Sequence, residues 1–265
     1  MDRTTDTQND PGERPSVSVV VPYFNSADYL EACLEGLAGQ QGVEGTYEVI
    51  LINNGSQDGA PEIAAGHPEF LNLEEATPGA YAARNTGIRA ARAPIIALTD
   101  ADCVAAPNWL STIQGRMRDP QVGALIGRCH YPKSASRWLH LLGAYENAKA
   151  EYTLERLSPA HHFAYANNMA VRRAVFDELG PFLEWKRAGD SELVHRMAAE
   201  RPGLRVEYVP QMEVTHLEFL RGADRARRLS LYTETNAKIE TFRELGFWQR
   251  LGVLWHLVQG GGRAS

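Results

Sequence analysis

The chain has 265 residues, a formal net charge of -6 and 44% hydrophobic residues, a length and composition that fit one substantial globular core, alone or with a small appendage. An acidic balance gives no electrostatic footprint for nucleic acid, so an anionic substrate must meet a locally positive or cation-filled pocket. Three cysteines, Cys33, Cys103 and Cys129, are odd in number and lack metal-type spacing, which suits buried thiols in a reducing compartment.

In chain order, residues 1–15 are polar and lack the apolar core of a signal peptide, so they read as a disordered leader. Val17 to Val21 is a β-branched run of the kind buried on both faces of a sheet, with Pro22 expected to stop it. A helix is expected next, capped by Ser26, with Asp28 in its first turn and Leu30, Leu34 and Leu37 on one face. Tyr47 to Ile52 repeats the strand signal and breaks at Asn53-Asn54-Gly55-Ser56, and a short helix is expected over 61–65. Ala80 to Arg92 reads as helix and Ile95 to Thr99 as a strand that runs into Asp100-Ala101-Asp102. Pro107 opens a further helix with Trp109, Leu110, Ile113 and Met117 inward.

This alternation predicts an α/β fold with a mostly parallel sheet flanked by helices and ligands gathered at the carboxyl ends of its strands. The second half reads as helix over 139–154, strand over 166–171, helices over 173–179 and 190–200, and a strand from Arg205 to Val209. From Arg221 onward, arginines interleaved with Leu, Phe and Trp predict an amphipathic helical tail, followed by a flexible Gly260-Gly261-Gly262 segment. The division expected is a leader (1–15), a first half (16–118), a second half of the same domain (119–220) and the tail (221–265). No run is long enough to span a bilayer, which with the leader predicts a cytoplasmic chain, peripheral at the membrane face if the tail lies on lipid.

Asp100 and Asp102 are one residue apart at a strand end. If the strand continues, both carboxylates face the same way and can share a divalent cation; otherwise they are the acids of a solvated turn. Two absences favour the cation. No Gly-x-Gly-x-x-Gly turn follows the first strand, and no Walker-type loop is present, so phosphate charge must be met in another way.

Several segments together resemble the family 2 glycosyltransferases with the A-type nucleotide-diphospho-sugar fold. They are residues 17–25, 48–59, 82–88 and 95–102, then 167–173, 189–193 and 214–216, an ordered set covering roughly 16–217. The resemblance implies a sugar moved from a nucleotide diphosphate donor, UDP-linked, to an acceptor hydroxyl with inversion. It implies Mn2+ or Mg2+ on Asp100 and Asp102, with His216 as third ligand, and Asp190 as general base. Pro22, Tyr23, Asn25, Asn54, Arg84, Asp100 and Ala101 would line the donor. His161, His162, Asn167, Asn168, Trp185 and Glu192 would lie toward a glycan, lipid-linked or small-molecule acceptor.

Each residue also has a plainer reading. Asp190 sits where a helix N-cap or first-turn acid belongs, a position that lowers a carboxyl pKa. Asn53 and Asn54 could form a tight turn, Arg84 and Arg89 could be solvated helix arginines, and a lone His216 could be structural. Two departures stand out: asparagines at 53 and 54 where the family carries acids, and Gly189 where it often carries an acid before the base, which leaves Glu192 as substitute. They keep open a catalytically impaired nucleotide-sugar or membrane-binding module. A sugar nucleotidyltransferase is the other alternative, although its Gly-rich basic loop is missing. The tail could pack on the core, pair with a second subunit or lie on a membrane.

Overall fold

The computed structural model describes residues 14–217 and 237–259. Most of the proposed leader, the first part of the proposed tail and the glycine segment lie outside the described residues.

Eight strands form one sheet in the order β3-β2-β1-β4-β7-β6-β8-β5. Its first four members are β1 (Val17–Tyr23), β2 (Tyr47–Asn53), β3 (Leu71–Glu74) and β4 (Ile95–Thr99), all parallel. The rest of the sheet is mixed. β7 (Asn168–Arg172) runs antiparallel between β4 and β6 (Val122–His130), and β8 (Arg205–His216) is parallel to β6 and antiparallel to the short β5 (Cys103–Ala105). One sheet therefore spans both halves expected from sequence.

Alternation along β1 sends Val17, Val19, Val21 and Tyr23 to one face and Val20 to the other, and each face has its own core. The first face is covered by α1 (Leu30–Ala38), α2 (Ala60–Ala65) and α4 (Trp109–Met117). Leu30, Cys33, Leu34 and Leu37 of α1 and Trp109, Leu110, Ile113 and Met117 of α4 are buried there, as the helical spacing predicts. The second face is covered by α3 (Ala80–Ala90), α5 (Arg137–Arg156), α6 (Arg173–Leu179) and α7 (Gly189–Glu200). A last helix, α8 (Phe247–Val258), packs on α5.

Local chemistry explains where the sequence misleads. β1 runs through Pro22 because β4 pairs only with Val17–Val20, so beyond Val20 that side of the strand is open. Ser26 does not cap α1. Its hydroxyl bonds Phe24 O, its carbonyl closes a turn onto the amides of Tyr29 and Leu30, and the helix starts at Leu30 with Asp28 outside it. β6 hides behind two glycines that read as breakers, yet a Cβ at Gly127 would run into Met212 O and the Asn168 side chain.

Gly87 is where α3 comes down on the sheet. A Cβ there would lie 2.5 Å from Val20 Cγ1 and 2.7 Å from Ile52 Cδ1. Gly87→Ala is expected to destabilise the fold by about 1–3 kcal/mol through overpacking, read as a lower urea midpoint with an unchanged slope.

Candidate active site

At the carboxyl ends of β1, β2 and β4 the loops are held by side chains. The Asn54 amide donates to Glu75 O and Thr77 O, both at 2.8 Å, and its carbonyl accepts Gly79 N–H at 2.8 Å. Gly79, with φ 141°, is the N-cap of α3, so Asn54 fixes where that helix begins. Asn53 donates to Glu74 Oε1 at 3.1 Å and accepts Ser56 N–H at 2.9 Å. Here lies the reason for the two asparagines. Aspartate at 54 would face two carbonyl oxygens, and aspartate at 53 a carboxylate. Both hydrogens of the Asn54 side-chain amide are thus spent on the loop.

Asn25, at φ 48°, accepts Gln57 N–H on its Oδ1, and its backbone N–H donates to Ser56 Oγ. Tyr23 is buried with its hydroxyl donating to Asn72 Oδ1 at 3.2 Å, and burial, ahead of its other influences, raises its pKa. Pro22 is buried beside it.

The two acids after β4 part company. The strand ends at Thr99, and the following turn is closed by Cys103 N–H on Asp100 O at 3.0 Å, so the same-face argument for a continuing strand does not hold. Asp100 pairs with Arg84 Nη2. Arg84 is no solvated helix residue: it is buried, its guanidinium lies 5.4 Å from the Tyr81 ring centroid, and its Nε has no hydrogen-bond partner among the described residues. Arg89 is the exposed one.

Asp102 turns instead to His216. Its Oδ2 lies 3.5 Å from His216 Nε2, because β5 pairs with β8 in the register Cys103↔His216 and Leu217 N–H donates to Asp102 O at 2.7 Å. Asp102, Cys103 and His216 form the one group with metal-ligand atoms all within 4.8 Å of each other among the described residues. A carboxylate and an imidazole at this separation fit adjacent positions on a cation with bonds of about 2.1 Å. His216 Nδ1 is buried without a partner among the described residues. Asp100 is not in this group. Cys103 belongs to it but is fully buried on the core side. Burial first, then the charge of Asp102, raises its thiol pKa, and burial raises those of Cys33 and Cys129 as well.

Asp190 is buried at the start of α7, after Ala188 at φ 62°. Oδ2 accepts Ala166 N–H at 2.9 Å and Oδ1 accepts Ser191 N–H at 2.8 Å. Burial raises its pKa against these bonds and the attraction of Arg84, which reverses the lowering expected from a helix start alone. Tyr81, missed from sequence, brings its hydroxyl 3.4 Å from Asp190 N, and its place three residues before Arg84 on α3 was the available signal. Gly189 is equally constrained: a Cβ would lie 2.9 Å from Leu183 O and 3.1 Å from the Tyr81 ring.

The acceptor-side residues divide. Asn167 is half-buried and adjoins Ala166, whose amide binds Asp190, while Trp185 is half-buried in the segment leading to α7. Asn168 is corrected to a buried brace, accepting Trp109 Nε1–H at 2.9 Å and donating to Arg128 O and Met212 O. Glu192 is corrected as well, since both its oxygens are held by Arg196. His161 faces Gln249 of α8, and His162 lies 3.2 Å from Leu157 O.

A sheet edge that gathers a cation-ready carboxylate and imidazole, a buried arginine and a separate basic carboxylate defines an A-type nucleotide-diphospho-sugar transferase fold. The chain belongs to the glycosyltransferases of family 2, whose model, described as glycosyl transferase family 2, matches residues 18–180. It is similar to glycosyltransferase AglE of Haloferax volcanii, 33% identical over 178 residues that cover 63% of this chain and 56% of AglE. Glycosyltransferase GlyG of Streptococcus pneumoniae is 24% identical over 198 residues, 68% of this chain and 64% of GlyG. The chain thus spans about half to two thirds of the length of these two relatives.

Among solved structures, the mannosyltransferase PcManGT of Pyrobaculum calidifontis, in complex with GDP-Man and Mn2+, aligns with a TM-score of 0.64 at 26% identity. The alignment covers 95% of this chain and 72% of that one. TarS 1–349 of S. aureus, in complex with UDP, aligns with a TM-score of 0.61 at 16% identity over 92% and 70% of the two chains, a likeness of fold.

Asn54→Asp is expected to lose two donated hydrogen bonds and to destabilise the protein by about 1–3 kcal/mol at neutral pH, measured by denaturant unfolding. Acidifying until the new carboxyl is protonated is expected to recover part of the loss.

Proposed function

We propose that this chain transfers one sugar from a nucleoside diphosphate donor to an acceptor hydroxyl, with Asp190 as general base and with inversion at the anomeric carbon. The observation that carries the reading is the division of labour among three acids: Asp102 beside His216, Asp100 on Arg84, and Asp190 buried apart from both.

Asp102 and His216 would hold a divalent cation, of which Mn2+ suits a mixed carboxylate and imidazole set better than Mg2+. Such a cation, when bound, neutralises charge on the departing diphosphate. Arg84 adds a fixed positive charge near the same place, held by Asp100. Asp190 takes the proton of the attacking hydroxyl, and its raised pKa makes it a better base than an exposed carboxylate. Asn167 and Trp185 stand on the acceptor side. Pro22, Tyr23, Asn25 and Ala101 stand on the donor side.

We take the donor as UDP-linked, as TarS binds UDP, with GDP as rival because PcManGT binds GDP-Man. The departures at 53, 54 and 189 do not favour an impaired module, because each is required by its neighbours.

Chelation with EDTA is expected to abolish donor turnover and added Mn2+ to restore it, whereas Asp102→Asn should remain inactive at any Mn2+ concentration. Thermal shifts with UDP and GDP in the presence of Mn2+ identify the base. Asp190→Asn is expected to lower kcat by about 10²- to 10⁴-fold with the nucleotide-induced thermal shift retained. The working base must be ionised, so wild-type kcat/KM falls as pH drops through the raised pKa of Asp190. The acid limb of the profile is therefore expected above the ordinary carboxylate range. An acid limb at the ordinary carboxylate value, or full activity in Asp190→Asn, excludes this base.

A further inference from the structure

Among the described residues, helix α8 is packed on one side and bare on the other. Its inner side is fixed to α5: Val253 is buried, and Gly252 meets Tyr152 so closely that a Cβ would overlap the phenol. His256 Nε2 lies 3.4 Å from Glu151. The outer side carries Phe247, Trp248, Leu251, Leu254, Trp255 and Val258, all exposed, with Trp248 at 79% and Trp255 at 64%. At 100° per residue these six fill one continuous arc of about 120°, and no polar residue falls within it. The first turns of α5 add Trp138, exposed at 78%, and Leu141.

Monomeric proteins do not usually leave such a patch open to water. Its charge indicates what covers it. The chain as a whole is at -6, yet α8 contains no acid and residues 131–145 contain none either, while Lys133, Arg137 and Arg250 are exposed there. Large apolar side chains, tryptophans and exposed cations at the rim, of which Arg250 also pairs with Glu244 at 4.0 Å, are the features of a helix lying in the headgroup region of an anionic bilayer. No helix among the described residues is long and apolar enough to cross a membrane.

We infer that the outer face of α8, with Trp138 and Leu141, docks this protein on an anionic lipid surface. The docked helix is tied to the half of the site that carries Asp190. Arg243 N–H donates to Ala160 O at 2.7 Å, Thr241 Oγ1 lies 3.0 Å from His195 Nδ1, the Phe242 ring packs edge-on to the His195 ring, and His195 is on α7 with Asp190. Docking therefore holds the acceptor side of the fold near the bilayer, which makes a lipid-borne acceptor hydroxyl the natural substrate. That last step rests on the transferase reading, and the docking itself does not.

The test is co-sedimentation of the full chain with vesicles of phosphatidylcholine alone or mixed with phosphatidylglycerol. Binding to the anionic vesicles, with a blue shift of tryptophan emission and weakening at high salt, is expected. The double variant Trp248→Glu, Trp255→Glu is expected to bind at least about tenfold more weakly, since it adds repulsion to lost insertion. Its melting temperature and Mn2+–nucleotide thermal shift should match wild type, which separates lost docking from misfolding. Absence of binding to either vesicle overturns the inference. So does a concentration-dependent dimer, seen by analytical ultracentrifugation, that the double variant dissolves, for then a second copy covers the face. Vesicle binding by a chain that shows no nucleotide thermal shift would leave docking standing and remove the transferase reading.

Discussion

A ladder of three residue pairs between β5 and β8 is the contact on which the proposed cation site depends. Asp102 precedes β5 and His216 ends β8, so the two meet only because Cys103 is paired with His216 and Leu217 N–H closes on Asp102 O. The route to that register is indirect. β8 first runs beside β6, loses register near Gly127 and Arg128, and then continues far enough to reach β5. A shift of one residue would turn the imidazole to the other face of the sheet and leave Asp102 alone. The site thus inherits its precision from backbone hydrogen bonds, which are stiffer than any contact between the side chains themselves.

Arg84 is the complementary element, because it connects otherwise separate parts of the site through charge. A buried guanidinium is costly unless its charge is compensated. Here Asp100 supplies the partner, the Tyr81 ring lies beneath it, and its field extends to Asp190. The same group therefore steadies the loop that carries Asp100 and lessens the effect of burial on Asp190. Removing it would disturb the surroundings of Asp100 and Asp190 together.

The sequence made some of this legible and hid the rest for physical reasons. The parallel half of the sheet was readable because Val17–Val21, Tyr47–Ile52 and Ile95–Thr99 are short, apolar and bounded by breakers. Helices α1 and α4 were readable because their buried residues recur at three and four. β3, β5 and β6 were not: β3 and β5 span only four and three residues, and the glycines of β6 resemble breaks although they are demanded by close approach. Asp102, His216 and Asp190 are the acids and imidazole that the family resemblance points to, but their pairings are tertiary. Spacing in the chain cannot reveal that Asp100 faces an arginine, that Asn168 is spent on Trp109 and two carbonyls, or that Glu192 is locked to Arg196.

Gly189 shows how such a site constrains its own history. Its Cα hydrogen points at the carbonyl of Leu183 and the ring of Tyr81, which lies in a different helix far back in the chain. A side chain at position 189 would require the backbone at Leu183 to shift and the Tyr81 ring to give by a few tenths of an ångström. The tightest of these contacts is to a main-chain oxygen, which a change of side chain at 183 cannot remove, so room at position 189 is set by the path of the backbone before α7 rather than by the residue types beside it.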